Sequence, residues 1–291
     1  MVDLSLTAQC IVSGLIMGSI YSLVALGFSL VYNVSGILNI AQGESVMLAG
    51  LMAIWLQLMG LPLPVVFLGA ILTGVLSALL VERLLVIPRQ RKAPFSTLLC
   101  LTMAAGVAFK GIARILWGVE PIKLDAVLPG AIKWGEVVFP KHALLILGAV
   151  LLLVLLLWFF LSRTLTGKAL RGVRDTPAGA MLVGIEPARM VILAFCVSGA
   201  VGALGGFLVG PITMMGYAHG ELFLANGIAA AIVGGMGSVF GAFAGGYIIG
   251  ICEQLSAGLI SPLFKGAVAL IIIIIVLAVK PYGLFGKPRS E

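Results

Sequence analysis

The sequence predicts an all-α membrane protein: a polytopic bundle of about eight or nine transmembrane or broken helices, with a short helix displayed on the cytoplasmic side. Three observations predict it. Of 291 residues, 61% are hydrophobic and 10% charged, where soluble domains carry about 25% charged residues. Such a chain has too little polar surface to face water all round. Second, the charges are missing over long runs. Leu4–Gly43 (40 residues), Ser45–Val81 (37), Ala143–Leu161 (19), Met190–Ala218 (29) and Leu222–Cys252 (31) contain no Asp, Glu, Lys, Arg or His. Third, the basic residues collect in short segments beside those runs.

A helix crosses the hydrocarbon with about 20 residues, so the longer runs hold more than one crossing, or a crossing plus a re-entrant segment. They lack the alternation of a barrel strand. Helices are therefore predicted near residues 7–32, 44–59, 64–82, 95–117, 142–161, 190–211, 222–236, 238–257 and 266–280. Breaks are expected at Leu61-Pro62-Leu63-Pro64, Pro88, Gly210-Pro211, Gly234-Gly235-Met236-Gly237 and Ser261-Pro262, because proline removes a helical donor and glycine favours ends. Met1–Leu6 carries Asp3 and no Lys or Arg. Without the basic region of a cleaved signal peptide, the first hydrophobic segment is expected to stay in the mature protein.

Charge position sets the expected topology. Arg83, Arg89, Arg91 and Lys92, then Arg163, Lys168, Arg171, Arg174 and Arg189, then Lys280, Lys287 and Arg289 form three basic clusters next to apolar spans, the mark of the cytoplasmic side. The 118–141 segment balances Lys123, Lys133 and Lys141 against Glu120, Asp125 and Glu136 and reads as external. An odd number of crossings must then separate residue 221 from residue 280. The 222–236 piece is short enough to be a half-depth helix, and 33–44 can be re-entrant. The net charge of +7 is thus topology, not a nucleic-acid footprint.

Ala41-Gln42-Gly43-Glu44 with Gly50 echoes Ala218-His219-Gly220-Glu221 with Gly227 at a constant offset of 177 residues; transporters often carry broken helices at matching places in two halves. Glycine is spaced as well as plentiful. Ser198, Gly202, Gly206 and Gly210 recur every fourth residue, as do Gly237, Gly241 and Gly245, and Gly14 with Gly18. Small residues four apart share a helix face and let two backbones approach.

Enzyme chemistry has no foothold. There is no GxxxxGK[ST], no HExxH, and only His142 and His219. Gly27-Phe28-Ser29-Leu30 lacks the second glycine of a GxSG nucleophile. Cys10, Cys100, Cys196 and Cys252 are far apart in apolar runs and read as buried residues. No catalytic residue, cofactor or metal is expected. Polar groups within the apolar runs are the better lead, since they are costly in lipid and mark pathways. Asn39, Gln42, Glu44 and Ser45 cluster where the second helix begins, and His219, Glu221 and Asn226 where the seventh begins. Broken helix ends offer free N–H groups to a carboxylate, and a Glu can meet an ammonium. The bland alternative makes Glu44 and Glu221 first-turn acids at the water interface.

The 163–189 loop holds a further helix signature. Thr176 is an N-cap followed by Pro177 at the first helical position. Ala178, Met181, Leu182 and Ile185 repeat at helical spacing, and Gly184 ends the run. Flanked by Arg171, Arg174 and Asp175, this helix suits docking into a partner's groove; the competing partner is anionic membrane lipid.

Read in order, these segments resemble the Liv-type permeases of hydrophobic amino acid ABC importers, of the LivH-like kind. Gly18-Ser19-Ile20-Tyr21-Ser22-Leu23 and Gly36-Ile37-Leu38-Asn39-Ile40-Ala41-Gln42-Gly43-Glu44 look like the family's GSIYAL and GxxNFAHGE, with Gln42 replacing the commoner His and Ile40 the commoner Phe. Val81-Glu82-Arg83 looks like its IER, and Lys168–Ile185 like its coupling loop. Ala231–Ser238, Gly245-Gly246 and Pro281–Gly286 complete the set. The resemblance implies one permease domain over 1–291 in a bacterial inner membrane. It also implies a second Liv-type permease subunit, two cytoplasmic ATPase subunits, and a periplasmic binding protein delivering leucine, isoleucine or valine. Relatives within the resemblance carry urea, amides or aromatic acids, so the Gln42 departure leaves the substrate open, and a passive channel stands as the remaining alternative.

Overall fold

A computed structural model of the chain describes residues 4–90, 93–134 and 137–286. Asp3, Arg91, Lys92, Glu136, Lys287 and Arg289 of the charge pattern lie outside the described residues.

Among the described residues nine helices build the bundle: α1 (Leu4–Ser35), α2 (Gln42–Leu58), α3 (Leu63–Gln90), α4 (Phe95–Trp117), α5 (Lys141–Arg163), α8 (Pro187–Val209), α9 (His219–Gly234), α10 (Val239–Leu259) and α11 (Lys265–Val279). Two shorter ones, α6 (Leu165–Asp175) and α7 (Pro177–Leu182), occupy the basic loop. Among the described residues seven helices are long and apolar enough to cross a membrane. The chain is a polytopic all-α membrane protein.

The positions of the breaks follow proline and glycine chemistry with one exception. The chain bends at 59–62 and at Ser261-Pro262, where a single 3-10 turn (Pro262–Phe264) precedes α11. Pro88 does not end its helix; α3 runs through it to Gln90. Proline removes one donor only, and near a helix end the neighbouring groups need little of the lost ladder.

The core is made of paired halves. α1 lies antiparallel against α10, with Gly14 on Ile251 and Gly250, Gly18 on Tyr247 and Gly246, and Ser22 on Gly246. α8 lies antiparallel against α3 in the same way, Gly199 on Gly74 and Ala78. A β-carbon on Gly199 would overlap the Gly74 carbonyl, so dispersion between backbones replaces the hydrophobic drive that lipid cannot supply. α2 begins at Gln42 and α9 at His219, the 177-residue offset of the echo.

The glycine stripes divide on inspection. Gly202 and Gly206 of α8 sit against Gln42, Val46 and Gly50 of α2, with Ser198 at the head of the same face, and Gly210 meets Leu124 as the helix ends. Gly241 and Gly245 of α10 lie on Gly234 and Ala230 of α9. Gly237 does not share that helix face: it stands in the α9–α10 turn with φ +104°, where a side chain would also strike Asn33.

The two connections outside the bundle hold more regular structure than expected. Ala131–Trp134 and Val137–Pro140 pair as an antiparallel hairpin. Gln9 of α1 clamps it, donating from Nε2 to the Val138 carbonyl (3.1 Å) and accepting at Oε1 from the Val138 amide (2.9 Å). At the basic end, the 163–189 loop holds two helices where one was expected. α6 buries Gly167, Leu170 and Val173 and is capped by Thr164, whose hydroxyl accepts from the Gly167 amide at 3.0 Å.

Candidate functional site

The first turns of α2 and α9 meet inside the bundle. Gln42 lies beside Gly27 of α1 and Ser198 of α8, both well within their helices, so α2 starts at depth. A β-carbon on Gly43 would overlap the Gly220 carbonyl, and one on Gly220 would overlap the Glu44 carboxylate. The two glycines are what allow two helix N-termini to converge, and each N-terminus carries a positive end-charge. Glu44 stands at that junction, only 4% exposed. Its Oε2 has no hydrogen-bond partner.

α4 closes one side. Thr102, Gly106, Lys110 and Arg114 repeat every fourth residue along it. Thr102 donates from Oγ1 to the Leu38 carbonyl at 3.2 Å, holding α4 to the segment that feeds α2. A β-carbon at Gly106 would lie 3.6 Å from Glu44 Cγ. Lys110 pairs with Glu221 of α9, and both charges act on Glu44. Arg114 sits over the Tyr217 ring, 5.7 Å from its centre. Lys110 is thus ion-paired to one exposed carboxylate and acts electrostatically on a second, buried one.

The residues singled out from the sequence separate into groups. Glu44 and Glu221 come together around Lys110. Asn39, Gln42 and Ser45 face inward instead. Asn39 Nδ2 donates to Gln42 Oε1 (3.4 Å), Gln42 Nε2 donates to the Ser198 carbonyl (3.2 Å), and the Ser198 hydroxyl is shared between Gln42 Oε1 (2.9 Å) and the Gly27 carbonyl (2.8 Å). Ser45 donates to the Ala41 carbonyl (3.2 Å). This network pins α1, α2 and α8 to one another. His219 accepts the Gly216 amide at Nδ1 (3.0 Å) and leans on Phe223. Asn226 lies on the same face of α9 as His219 and Phe223, with Tyr21 and Glu253. Lys110 and Thr102 went unnoticed in the sequence, although a four-residue polar repeat in an otherwise apolar helix was there to be read.

The 163–189 residues form a separate surface. α7 covers six residues, shorter than the expected Thr176–Ile185, and Thr176 makes no side-chain cap bond. Met181, Leu182 and Val183 are exposed while Ala180 is buried. Gly184 has φ +80°, a conformation that strains residues with a β-carbon. Arg171 donates to the Ser162 carbonyl (3.4 Å), and Arg174 donates to the Gly237 carbonyl (3.5 Å) while lying 3.9 Å from Asp175. Arg174 thereby ties α6 to the turn between α9 and α10.

Comparison with known proteins is consistent along the chain. It is 28% identical over 304 residues, 97% of this chain and 96% of the relative, to the high-affinity branched-chain amino acid transport system permease protein LivH of Salmonella typhimurium. It is 28% identical to BraD of Pseudomonas aeruginosa, a permease protein of the same description, over 97% of each chain. The ribose import permease protein RbsC of Haemophilus influenzae is 27% identical over 89% of this chain and 81% of its own. Among solved structures, PsaBC from Streptococcus pneumoniae in complex with Fab superposes with a TM-score of 0.53 over 93% of this chain and 91% of that one, at 17% identity, which shows the fold alone. The profile of the family described as branched-chain amino acid transport system / permease component matches residues 10–277, and the chain belongs to that family.

Proposed function

We propose that this chain is the permease subunit of an ABC importer for leucine, isoleucine and valine, working in the inner membrane with a second permease, two ATPase subunits and a substrate-delivering binding protein. One observation carries the reading: a buried carboxylate stands where two helices begin against each other, in a chain that matches a permease-component family over residues 10–277. A free amino acid brings an ammonium and a carboxylate. Glu44 meets the first; Lys110 and the convergent helix ends meet the second. In this reading Asn39, Gln42 and Ser45 hold the junction rigid rather than touch the solute. Movement enters through α7, whose exposed Met181 and Leu182 seat in an ATPase groove. α6 and Arg174 carry that movement to the α9–α10 turn, a contiguous packed route to the junction.

The test is uptake of radiolabelled leucine into proteoliposomes holding the assembled importer, with ribose and urea as competitors. Leucine uptake that valine and isoleucine inhibit, and ribose and urea do not, is the expected result. Competition by ribose or urea instead would reassign the substrate. Met181→Asp is expected to abolish uptake and detach the ATPases on co-purification, while the permease still accumulates in the membrane. Wild-type attachment and stimulation of ATP hydrolysis in that variant would make α7 a lipid-surface element.

A further inference from the structure

On the flank of α9 away from Lys110, a cavity of about 490 Å³ opens between α1, α9, α10 and α11, within the size range of small-molecule sites. Its walls are mostly apolar, Leu222 and Ile273 among them, yet polar residues enter it: Thr213 and His219 at one part of the lining, and Tyr21, Asn226, Glu253 and Lys265 as a group around one carboxyl. Glu253 is 3% exposed. Lys265 Nζ is 3.5 Å from its Oε1 and reaches in from the rim, its side chain 41% exposed. Tyr21 and Asn226 lie against the same carboxyl, but no hydrogen bond of ordinary geometry reaches its Oε2. A buried carboxylate oxygen without a donor is expensive to keep. If the pair served only to pin α11 on α10, neither an empty space beside it nor an unmatched oxygen would be required.

We propose that this cavity binds an apolar α-amino acid, with its ammonium on Glu253, its carboxylate on Lys265 and its aliphatic side chain against Leu222 and Ile273. The inference rests on the amino-acid reading above and adds a second stop on the route. The unmatched Oε2 asks for a cationic donor. The loosely held Lys265, at 3.5 Å, can turn from Glu253 to a ligand's carboxylate at the rim, and the apolar walls select against polar side chains.

The experiment is binding of radiolabelled leucine to the assembled permease–ATPase complex in lipid nanodiscs, without binding protein. Two analogues compete: isopentylamine, which lacks the carboxylate, and 4-methylpentanoate, which lacks the ammonium. The expected result is saturable leucine binding that isopentylamine displaces and 4-methylpentanoate does not. Glu253→Gln, which keeps the volume, is expected to weaken leucine binding by about tenfold or more. Lys265→Met is expected to weaken leucine while sparing isopentylamine. The inference is overturned if the wild-type complex shows no saturable leucine binding, if 4-methylpentanoate competes as well as leucine, or if Glu253→Gln binds as the wild type does. The analogue arm needs no variant and stands even where a substitution fails to assemble. Leucine uptake by the complete importer, measured in parallel, separates the two ideas. Uptake without this binding pattern sinks the second site alone, whereas absence of uptake sinks the functional reading and the site together.

Discussion

α2 and α9 open with nearly the same residues, Gln42-Gly43-Glu44 against His219-Gly220-Glu221, 177 positions apart, and the bundle treats them differently. Glu44 is 4% exposed, with an unmatched oxygen; the Glu221 side chain is 65% exposed and paired with Lys110. Gln42 joins three helices through Asn39 and Ser198, whereas His219 bonds within its own turn to Gly216. The cause is what packs on each helix. α8 presses its glycine face onto the start of α2, and α4 covers the other side; the counterpart residue of α9, His219, instead lines a cavity shared with α1, α10 and α11. A repeated segment therefore reproduces a backbone while its neighbours set the chemistry of each copy.

The two glycines at the junction offer the sharpest way to break this comparison. Gly43→Ala drives a methyl group into the Gly220 carbonyl, which cannot move without shifting α9. Overpacking of this kind costs about 1–3 kcal/mol, and little assembled complex is expected on size-exclusion chromatography. Gly220→Ala meets first the Glu44 carboxylate, a side chain that can swing. That variant should assemble, yet lose most leucine uptake. Equal assembly defects in both variants would show that backbone and side-chain obstacles count alike here.

A smaller effect separates the two acids. Glu44→Ala should lower the maximal rate of uptake by about tenfold, since a charge-assisted contact is worth about 1.5–3 kcal/mol. Glu221→Ala removes an exposed ion pair worth about 0–1 kcal/mol and should change uptake by no more than a few-fold. Reversal of that order in proteoliposome uptake would move the solute's contact from the buried acid to the exposed one.

The smallest effect is on stability. Gln42→Leu strands Asn39 and the Ser198 carbonyl in a dry interior, where an unmatched group costs about 1–3 kcal/mol, and the melting temperature in detergent should drop accordingly. His219→Ala loses one partly exposed bond, and its melting temperature should stay close to the wild-type value.

Composition and the uncharged runs determined by themselves that this chain lives in lipid as helices, because only helices and closed barrels satisfy a backbone there and the runs lack a barrel strand's alternation. Glycine and proline marked nearly every break, and the Ala-x-Gly-Glu echo marked where α2 and α9 start, since these signals act through local backbone geometry. The amphipathic α6 is less legible, because the cap and apolar spacing that signal a helix most plainly in this loop stand further on, at Thr176–Ile185. The hairpin at 131–140 escaped because short strands make little periodic signal in a charged loop. Only the tertiary structure decided which polar residues turn inward and which share a site. Asn39, Gln42 and Glu44 fall within six consecutive residues, yet the first two close a lock on Ser198 while the third meets Gly220 and the charges of α4 and α9. Tyr21, Asn226, Glu253 and Lys265 are brought to one cavity from positions up to 244 residues apart. Burial and pairing are properties of what lies across a contact, and each of those contacts joins helices that are distant along the chain.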